Sequence, residues 1–277
     1  MLKMPRFTFE TAVIDPQTEW TRRRLQILLG GGVAVVLAVL AGGVWSVASI
    51  VTGGSDAVDS SNGAVQSAQD RLASQQLPDA PLEAAQPGSL SSGETGTLEI
   101  PAPTQVGEVG VATGFPHTPE GALAQLAAID STALASASVR VAQDVIAHWA
   151  APGGPSAESW TGVQAMAALL ESAGMSSDAR NGITIAVEPK MGYIKGTVGD
   201  DFVVPCIDFI VTATITTNGA AAGQPQQVAA ADCQRMVWQD GRWVIGPGEE
   251  PAPAPSLWPG SQASFDAGYQ WLEVPQS

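Results

Sequence analysis

The residues able to take part in chemistry are few in this chain of 277 residues. It has two cysteines, Cys206 and Cys233, and two histidines, His117 and His148. Two cysteines and two distant histidines lack the spacing of zinc ligands, so the sequence predicts no metal site. It also contains no G-x-S-x-G segment and no glycine-rich loop between a strand and a helix, so it predicts neither a serine hydrolase nor a cofactor bound through phosphate groups.

The two cysteines lie on neighbouring predicted strands. Residues 202–217 alternate in apolar character and residues 227–238 form the next strand, with the favoured turn pair Asn218-Gly219 between them. If the hairpin folds about residues 219–220, Cys206 lies opposite Cys233, at a Cα separation of about 4.5–5.5 Å that is within or close to the disulfide range. We predict a disulfide; the alternative is two buried free thiols, and a mass shift on reduction and alkylation distinguishes them.

The elements that position these residues divide into helices and then strands. Apolar residues recur every three or four positions in three segments between Thr118 and Gly174, which predicts three helices. From Ile183 onward the period changes to two, which indicates strands, and Asp240-Gly241 makes a tight turn between the last two. This order predicts an α+β fold, with the helices packed on one face of a curved antiparallel sheet.

A long uncharged segment precedes this domain. Residues 27–51 are almost wholly apolar, and as a helix they would rise roughly 37 Å, enough to cross a hydrocarbon core of about 30 Å. We therefore predict a transmembrane helix at 25–52. Three arginines at 22–24 precede it and acidic residues follow it, which places the tail 1–24 in the cytoplasm and the rest of the chain outside. A cleaved signal peptide is the alternative, although its apolar core is usually about 7–15 residues long.

Small residues repeat at a spacing of four within the predicted span. On a helix this spacing makes a ridge along which two transmembrane helices approach closely, so self-association into a homo-oligomer is a hypothesis. Chance in a segment rich in glycine and alanine is the alternative. The ridge residues are Gly30, Ala34, Ala38, Gly42 and Ser46.

Residues 53–114 separate the predicted span from the predicted domain at 115–277. They are rich in small and polar residues and contain few large apolar ones, which predicts a disordered acidic linker. Beyond residue 24 the chain has seven basic and 24 acidic residues, a formal net charge of −17. Such a surface repels phosphate backbones, so a nucleic-acid partner is not expected. The domain ends in a Pro-rich extension.

The order of elements and one hairpin resemble a known fold family. Residues 237–245 read Val-Trp-Gln-Asp-Gly-Arg-Trp-Val-Ile, and with the preceding helices and strands they resemble the nuclear-transport-factor-two-like cone. A short tail, one span and an external domain resemble, within that superfamily, the bitopic inner-membrane scaffold proteins of type IV secretion and conjugation machines. Residues 114–122 also resemble the domain start of actinobacterial membrane proteins linked to conjugative elements. The long linker and the C-terminal extension depart from the general pattern.

This resemblance implies a scaffold without enzymatic activity, whose domain outside the membrane binds other membrane or secretion-system proteins. A second function is a small-molecule-binding or sensory module that holds an apolar ligand in the cone pocket. Core packing explains the candidate pocket residues equally well. These residues are Trp149, Trp160, Phe209 and Trp243.

Enzymes of this fold family keep an acidic or tyrosine residue in the pocket, so the resemblance makes Asp208, Asp232 and Tyr193 the candidates for acid–base chemistry. Strand alternation places Asp208 on the face that carries Cys206, opposite the apolar face, and predicts that it faces solvent. Asp232 is expected to pair with Arg235 or with a backbone donor. We therefore predict that the chain is not an enzyme and has no cofactor.

Overall fold

The computed structural model describes residues 60–93 and 96–274. The tail 1–24, the predicted span 25–52 and its ridge from Gly30 to Ser46 lie outside these residues. Within the described part of the chain, no helix is long and apolar enough to cross a membrane. The described residues form the predicted α+β architecture, with helices packed on a mostly antiparallel sheet.

Five helices and ten strands are described, together with 3₁₀ turns at Leu82–Ala85 and Glu108–Gly110. The helices are α1 (Ser60–Ala73), α2 (Pro119–Ala135), α3 (Val139–Trp149), α4 (Thr161–Ser172) and α5 (Gln262–Asp266). The strands are β1 (Thr97–Glu99), β2 (Gln105–Val106), β3 (Ala112–Thr113), β4 (Ile183–Thr197), β5 (Phe202–Thr217), β6 (Ala220–Ala221), β7 (Gln226–Cys233), β8 (Met236–Gln239), β9 (Arg242–Ile245) and β10 (Gln270–Glu273).

The two helix starts that border the site have different caps. The Thr118 hydroxyl accepts the backbone N–H of Gly121 at 3.1 Å, and Pro119 occupies the first turn of α2. Ser156, a residue type that often caps helices, lies in the loop before α4 and does not cap it. The carboxylate of Glu250, far along the chain, accepts the N–H of Thr161 at 3.0 Å, so a tertiary contact caps α4.

The main sheet has the order β1-β10-β4-β5-β8-β9, and β6 and β7 also pair with β5. β1 and β10 are parallel neighbours and the other pairs are antiparallel. The predicted strand 227–238 is divided between β7 and β8. Gln234 donates its N–H to the carbonyl of Pro205 at 3.3 Å, but Pro205 has no N–H to donate in return, so the ladder is interrupted there.

A β-bulge in β4 changes which face its residues occupy. The register with β5 shifts by one residue between Pro189 and Met191. Simple alternation would place Met191 on the same face as Ile183 and Ile185. The shift places it in a second cluster, on the opposite face of the sheet.

The main core lies between helices α2–α4 and one face of this sheet. Gly192 on β4 allows close approach there, since an added Cβ would lie 2.7 Å from Leu123 and 2.8 Å from Leu272. The largest fully buried side chains of this core are Leu123, Leu126, Ile129, Ile146, Trp149, Trp160, Met166, Phe209 and Trp243.

The opposite face of the sheet is covered by two segments from the ends of the described chain. Leu77 and Ala84 on one side and Ala254, Leu257 and Tyr269 on the other pack in a cluster on this face. The two segments also meet in the sheet, where β1 pairs with β10. Residues 60–93 and 96–114 are therefore packed elements, which differs from the predicted linker at 53–114.

The amino-acid composition of residues 53–114 did not predict this packing, because the residues that cover the second face of the sheet are largely small. Ala73 and Ala85 are almost completely buried although neither contributes much apolar area. The Pro-rich extension supplies the remaining cover, so the first segment needs few large side chains.

Candidate functional site

The four predicted pocket residues are all buried in the main core, but they do not share one pocket. Trp160 and Phe209 line a cavity between α2, α4 and the strands β5 and β7. The Trp149 indole N–H donates to the carbonyl of Glu108 at 3.2 Å, and the Trp243 indole N–H donates to that of Pro116 at 2.9 Å. These two tryptophans hold the segments before α2 against the core and do not line the cavity.

The cavity is narrow and mostly apolar. Its volume is about 60 Å³, and the total space between atoms, including open solvent at its mouth, is about 740 Å³. This volume is enough for a few water molecules or a small organic group. The apolar lining residues are Leu134, Trp160, Gly162, Ala165, Leu169, Phe209, Val211, Val228, Ala230 and Ala231.

Two carboxyl groups line the same cavity. Asp130 comes from α2, is buried, and its Oδ2 has no hydrogen-bond partner. Asp232 comes from β7 and accepts the side-chain amide of Gln234 at 3.0 Å. A third carboxyl, Glu250, interacts with both and accepts the Thr161 hydroxyl at 2.6 Å. Helix, strand and C-terminal extension thus each contribute one acid to an acidic cluster, Asp130, Asp232 and Glu250.

Burial is the main cause of the unusual proton affinity of this cluster. It raises the pKa of Asp130 well above its usual range, and the neighbouring charges of Asp232 and Glu250 raise it further. Burial, followed by the charge of Glu250, raises the pKa of Asp232 to about 7. The pKa of Glu250 is also raised, mainly by burial. The acidic cluster therefore retains protons near neutral pH.

The sequence located only part of this acidic cluster. Asp232 was a candidate, and of its two expected partners the backbone donor is present, the N–H of Cys233, whereas the side-chain donor is Gln234 and not Arg235. The guanidinium of Arg235 lies elsewhere, with Nη2 2.8 Å from Asp70 Oδ1. Asp130 was missed although helical periodicity places it four residues after the buried Leu126. No sequence signal identifies Glu250, which follows a Gly-Pro-Gly segment.

The prediction that Asp208 faces solvent is wrong. Its side chain is completely buried in the structure, neither carboxyl oxygen has a hydrogen-bond partner, and burial raises its pKa well above the usual range. The cause is the cover on the second face of the sheet, which includes Tyr269. Tyr193, the third acid–base candidate, is half-buried there with its ring 6.5 Å from that of Tyr269. Neither Asp208 nor Tyr193 lines the cavity.

The cysteines are brought together as predicted. Cys206 and Cys233 are direct partners in the β5–β7 register and form a disulfide, with their Cα atoms 4.1 Å apart. His117 stacks on Trp238 with ring centroids 4.4 Å apart, and its Nε2 lies 2.9 Å from Asp201 Oδ1. This contact lies outside the cavity.

The arrangement can hold protons, and the hydroxyl of Thr161, which donates to Glu250, belongs to a residue that lines the cavity. The residues that line the cavity in the described chain include no cysteine, serine, histidine or lysine. Among the described residues, no three histidine, cysteine or carboxylate side chains converge in a way that could hold a metal ion.

Comparison of the chain with protein-family models, with curated proteins and with solved structures found no match.

Proposed function

We propose that the chain is a membrane-anchored scaffold without enzymatic activity, whose folded domain lies outside the cell membrane and binds other protein subunits. The uncharged segment 27–51 and the arginines before it support the anchor and its orientation. The Cys206–Cys233 disulfide supports an oxidising compartment for the domain. The small volume of the cavity supports a role that does not depend on turnover of a large substrate.

The observation that carries the binding role is an apolar turn on the surface. The hairpin of β2 and β3 displays Val106, which is 76% exposed, and Val109, which is 38% exposed. Val109 has φ +51°, in the left-handed region that β-branched residues avoid. Such a conformation costs on the order of 1–3 kcal/mol and persists only when the surroundings hold it.

Several contacts hold this hairpin in place. The indole N–H of Trp149 donates to the carbonyl of Glu108, and a Cβ added at Gly107 would lie 2.8 Å from the Trp149 ring. The Gln125 side chain donates to the carbonyl of Ala112 at 3.0 Å and accepts the Thr113 hydroxyl at 2.7 Å. The two valines are therefore presented on a turn that is anchored to α2 and α3.

A fixed, exposed apolar turn is suited to insertion into an apolar pocket on another protein. We propose that the partner is another membrane protein of the same assembly, of the conjugation or type IV secretion kind to which the sequence resemblance points. Self-association through the predicted span would add copies of this chain to that assembly.

Site-specific photocrosslinking in cells tests this proposal. A photoreactive amino acid is placed at Val106 in the full-length chain, and a matched variant carries it at Leu90, which is 65% exposed and lies in a different segment. We expect position 106 to capture one defined membrane subunit, and an aspartate at Val109 to reduce that product at least fivefold. Equal capture from positions 90 and 106, or capture that is insensitive to the aspartate, would contradict the proposal.

The alternative function, a small-molecule-binding or sensory module, is favoured by one observation. The buried carboxyl of Asp130 has an oxygen without a partner and lines the cavity. The cavity is small when closed, so a ligand would be small or would extend into the mouth.

A further inference from the structure

The acidic cluster lacks a compensating positive charge. The groups that hydrogen-bond to Asp232 and Glu250 are all neutral: the backbone of Cys233, the side chain of Gln234, and the backbone and hydroxyl of Thr161. Among the described residues that line the cavity, none is lysine, arginine or histidine. Buried carboxylates without a paired cation are strongly disfavoured in a low-dielectric interior. The cavity is therefore complementary to a positive charge.

Arg235 does not supply this charge, although it is close in sequence. Its guanidinium lies 2.8 Å from the Asp70 carboxylate on α1, and its central carbon lies 5.3 Å from the ring centre of Phe202. Phe202 belongs to a cluster separate from the main core. Arg235 is thus already used to hold α1 on the domain.

A second feature points to a bound group independently of the charge. Asp130 Oδ2 is buried and has no hydrogen-bond partner, and Asp130 lines the cavity. Native structures leave few buried polar atoms unsatisfied, so each case calls for an explanation such as a bound molecule. A ligand with an N–H donor at the end of the cavity would satisfy this oxygen.

We propose that this cavity binds a small organic ammonium ion, with the charged nitrogen between Asp130 and Asp232 and the alkyl part along the apolar walls. The side chains of Trp160 and Phe209 form part of these apolar walls. This proposal rests on the alternative function, a small-molecule-binding or sensory module. It does not depend on the apolar turn that carries Val106 and Val109.

The dimensions of the cavity determine which ammonium ions can bind in it. The cavity volume of about 60 Å³ accommodates an ammonium group and the first one or two methylene groups. The half-buried side chains of Leu134, Leu169 and Val228 line the rest of the void and provide an apolar path for a longer chain. A bare metal ion does not fit because the described carboxyls do not converge as a ligand set.

Binding should be linked to proton release. The groups of the acidic cluster come from three parts of the fold: Asp130 from α2, Asp232 from β7 and Glu250 from the extension after β9. Each has a raised pKa, so the cluster holds protons near pH 7 that an ammonium ion would displace. The affinity for the ammonium ion should therefore increase between pH 6 and pH 8.

Titration calorimetry tests the site on the purified full-length chain in a non-ionic detergent. The probes are n-hexylammonium and its neutral analogue n-hexanol, at constant ionic strength and pH 7. We expect the ammonium to bind at least tenfold more tightly than the alcohol. Buffers of different ionisation enthalpy should show that protons are released on binding.

Isosteric variants distinguish binding of n-hexylammonium at this site from its uptake into the detergent micelles. D130N and D232N should each weaken n-hexylammonium at least tenfold and leave n-hexanol binding within twofold of the wild type. The matched control is E171Q, an exposed change on α4 that should have no effect. Circular dichroism checks that each variant is folded.

The proposal is wrong if the wild type binds n-hexylammonium no more tightly than n-hexanol, or binds neither. It is also wrong if folded D130N and D232N keep the wild-type affinity. Neither result affects the crosslinking expected from Val106, so the ammonium site and the scaffold function are tested independently.

Discussion

At the scale of single residues, burial decides the charge of the acidic groups in this domain. Asp201 and Asp232 are the same residue type, yet one lies at the surface beside His117 and the other lines the cavity. Burial disfavours the ionised form of Asp232, and the nearby Glu250 adds repulsion. A carboxyl group in such a place binds a proton near neutral pH and does not act as a fixed negative charge.

This burial makes the stability of the domain depend on pH. The folded pKa of Asp232 is about 7, whereas the unfolded value is near 3.8. The folded state therefore holds more protons between these values, and its stability is lost as the pH rises toward 7. The shift from 3.8 to about 7 is about three tenfold changes in proton affinity, each worth about 1.4 kcal/mol, so D232N should be more stable than the wild type at pH 8 by up to about 4 kcal/mol.

Urea unfolding at pH 4, 6, 7 and 8 measures this difference. We expect D232N and the wild type to be closest at pH 4 and to diverge as the pH rises, with little further change above pH 8. D266N, at an exposed position on α5, is the control and should follow the wild type. Parallel pH profiles for D232N and the wild type would contradict the assignment.

At the scale of elements, α1 shows how a segment without an obvious apolar pattern is held on the domain. Leu72 packs against β4 where Gly196 leaves room, since an added Cβ there would lie 2.9 Å from the leucine. Asp70 pairs with the buried Arg235. The ammonium of Lys195 donates to the carbonyl of Gln75 at 2.8 Å, just beyond the helix end, and burial lowers its pKa to about 8.

Removing the carboxylate of Asp70 should therefore weaken the domain as well as release the helix. D70A leaves the guanidinium of Arg235, which is only 2% exposed, without an ionic partner. Because Asp70 itself is half-exposed, we expect a loss of about 1–3 kcal/mol, below the range for a fully buried pair. Urea unfolding gives the free energy, and limited proteolysis reports cleavage within 60–73.

D79A is the matched control for this change, since Asp79 is an exposed residue of the same N-terminal segment. It should leave both the unfolding free energy and the cleavage rate unchanged. If D70A unfolds at the same urea concentration as D79A, the ion pair does not hold α1.

The prediction of elements from sequence succeeded where the signal was local. β5 begins and ends at the predicted residues, and β7 pairs with it in the predicted register, with Cys206 opposite Cys233. The turn at Asn218-Gly219 itself pairs β5 with β6, in a register that differs by two residues. The sequence did not predict the break after β7 or the bulge in β4. Both depend on hydrogen bonds to a partner strand, which alternation within one strand does not describe.

At the scale of the whole molecule, the ends of the described chain close the second face of the sheet. β1 and β10 lie side by side, and segments near both ends pack in one cluster over the disulfide. The disulfide joins cysteines 27 positions apart beneath this cover. Cross-linking a loop of this length restricts the unfolded chain and contributes about 2–4 kcal/mol.

Replacing both cysteines with alanine should therefore destabilise the domain by about 2–4 kcal/mol. Urea unfolding of the full-length chain measures this loss. The wild type in the presence of a reductant is the matched control, because it keeps the side-chain volume and loses only the cross-link. An equal unfolding midpoint with and without reductant would show that the bond contributes nothing.

The same cysteines report the compartment of the domain. Protein extracted from cells under denaturing conditions should react with a maleimide only after reduction. Reaction without prior reduction would place the domain in a reducing compartment and contradict the proposed location outside the membrane.

The sequence by itself determined the α+β order of elements, the hairpin of β5 and β7, and the cysteine pair. Each follows from periodicity or from a turn between neighbouring residues, and these act over a few positions of the chain. The sequence also determined that residues 27–51 carry no charge, which is the basis of the proposed anchor.

Only the tertiary structure decided which polar residues are buried. Asp208 is buried because residues from both ends of the described chain cover its face of the sheet. Asp130 and Asp232 line one cavity because a helix and a strand converge there, and the extension brings Glu250 close enough to raise the pKa of both. Burial and proton affinity depend on neighbours that are distant in sequence, so these properties appear only when the chain is folded.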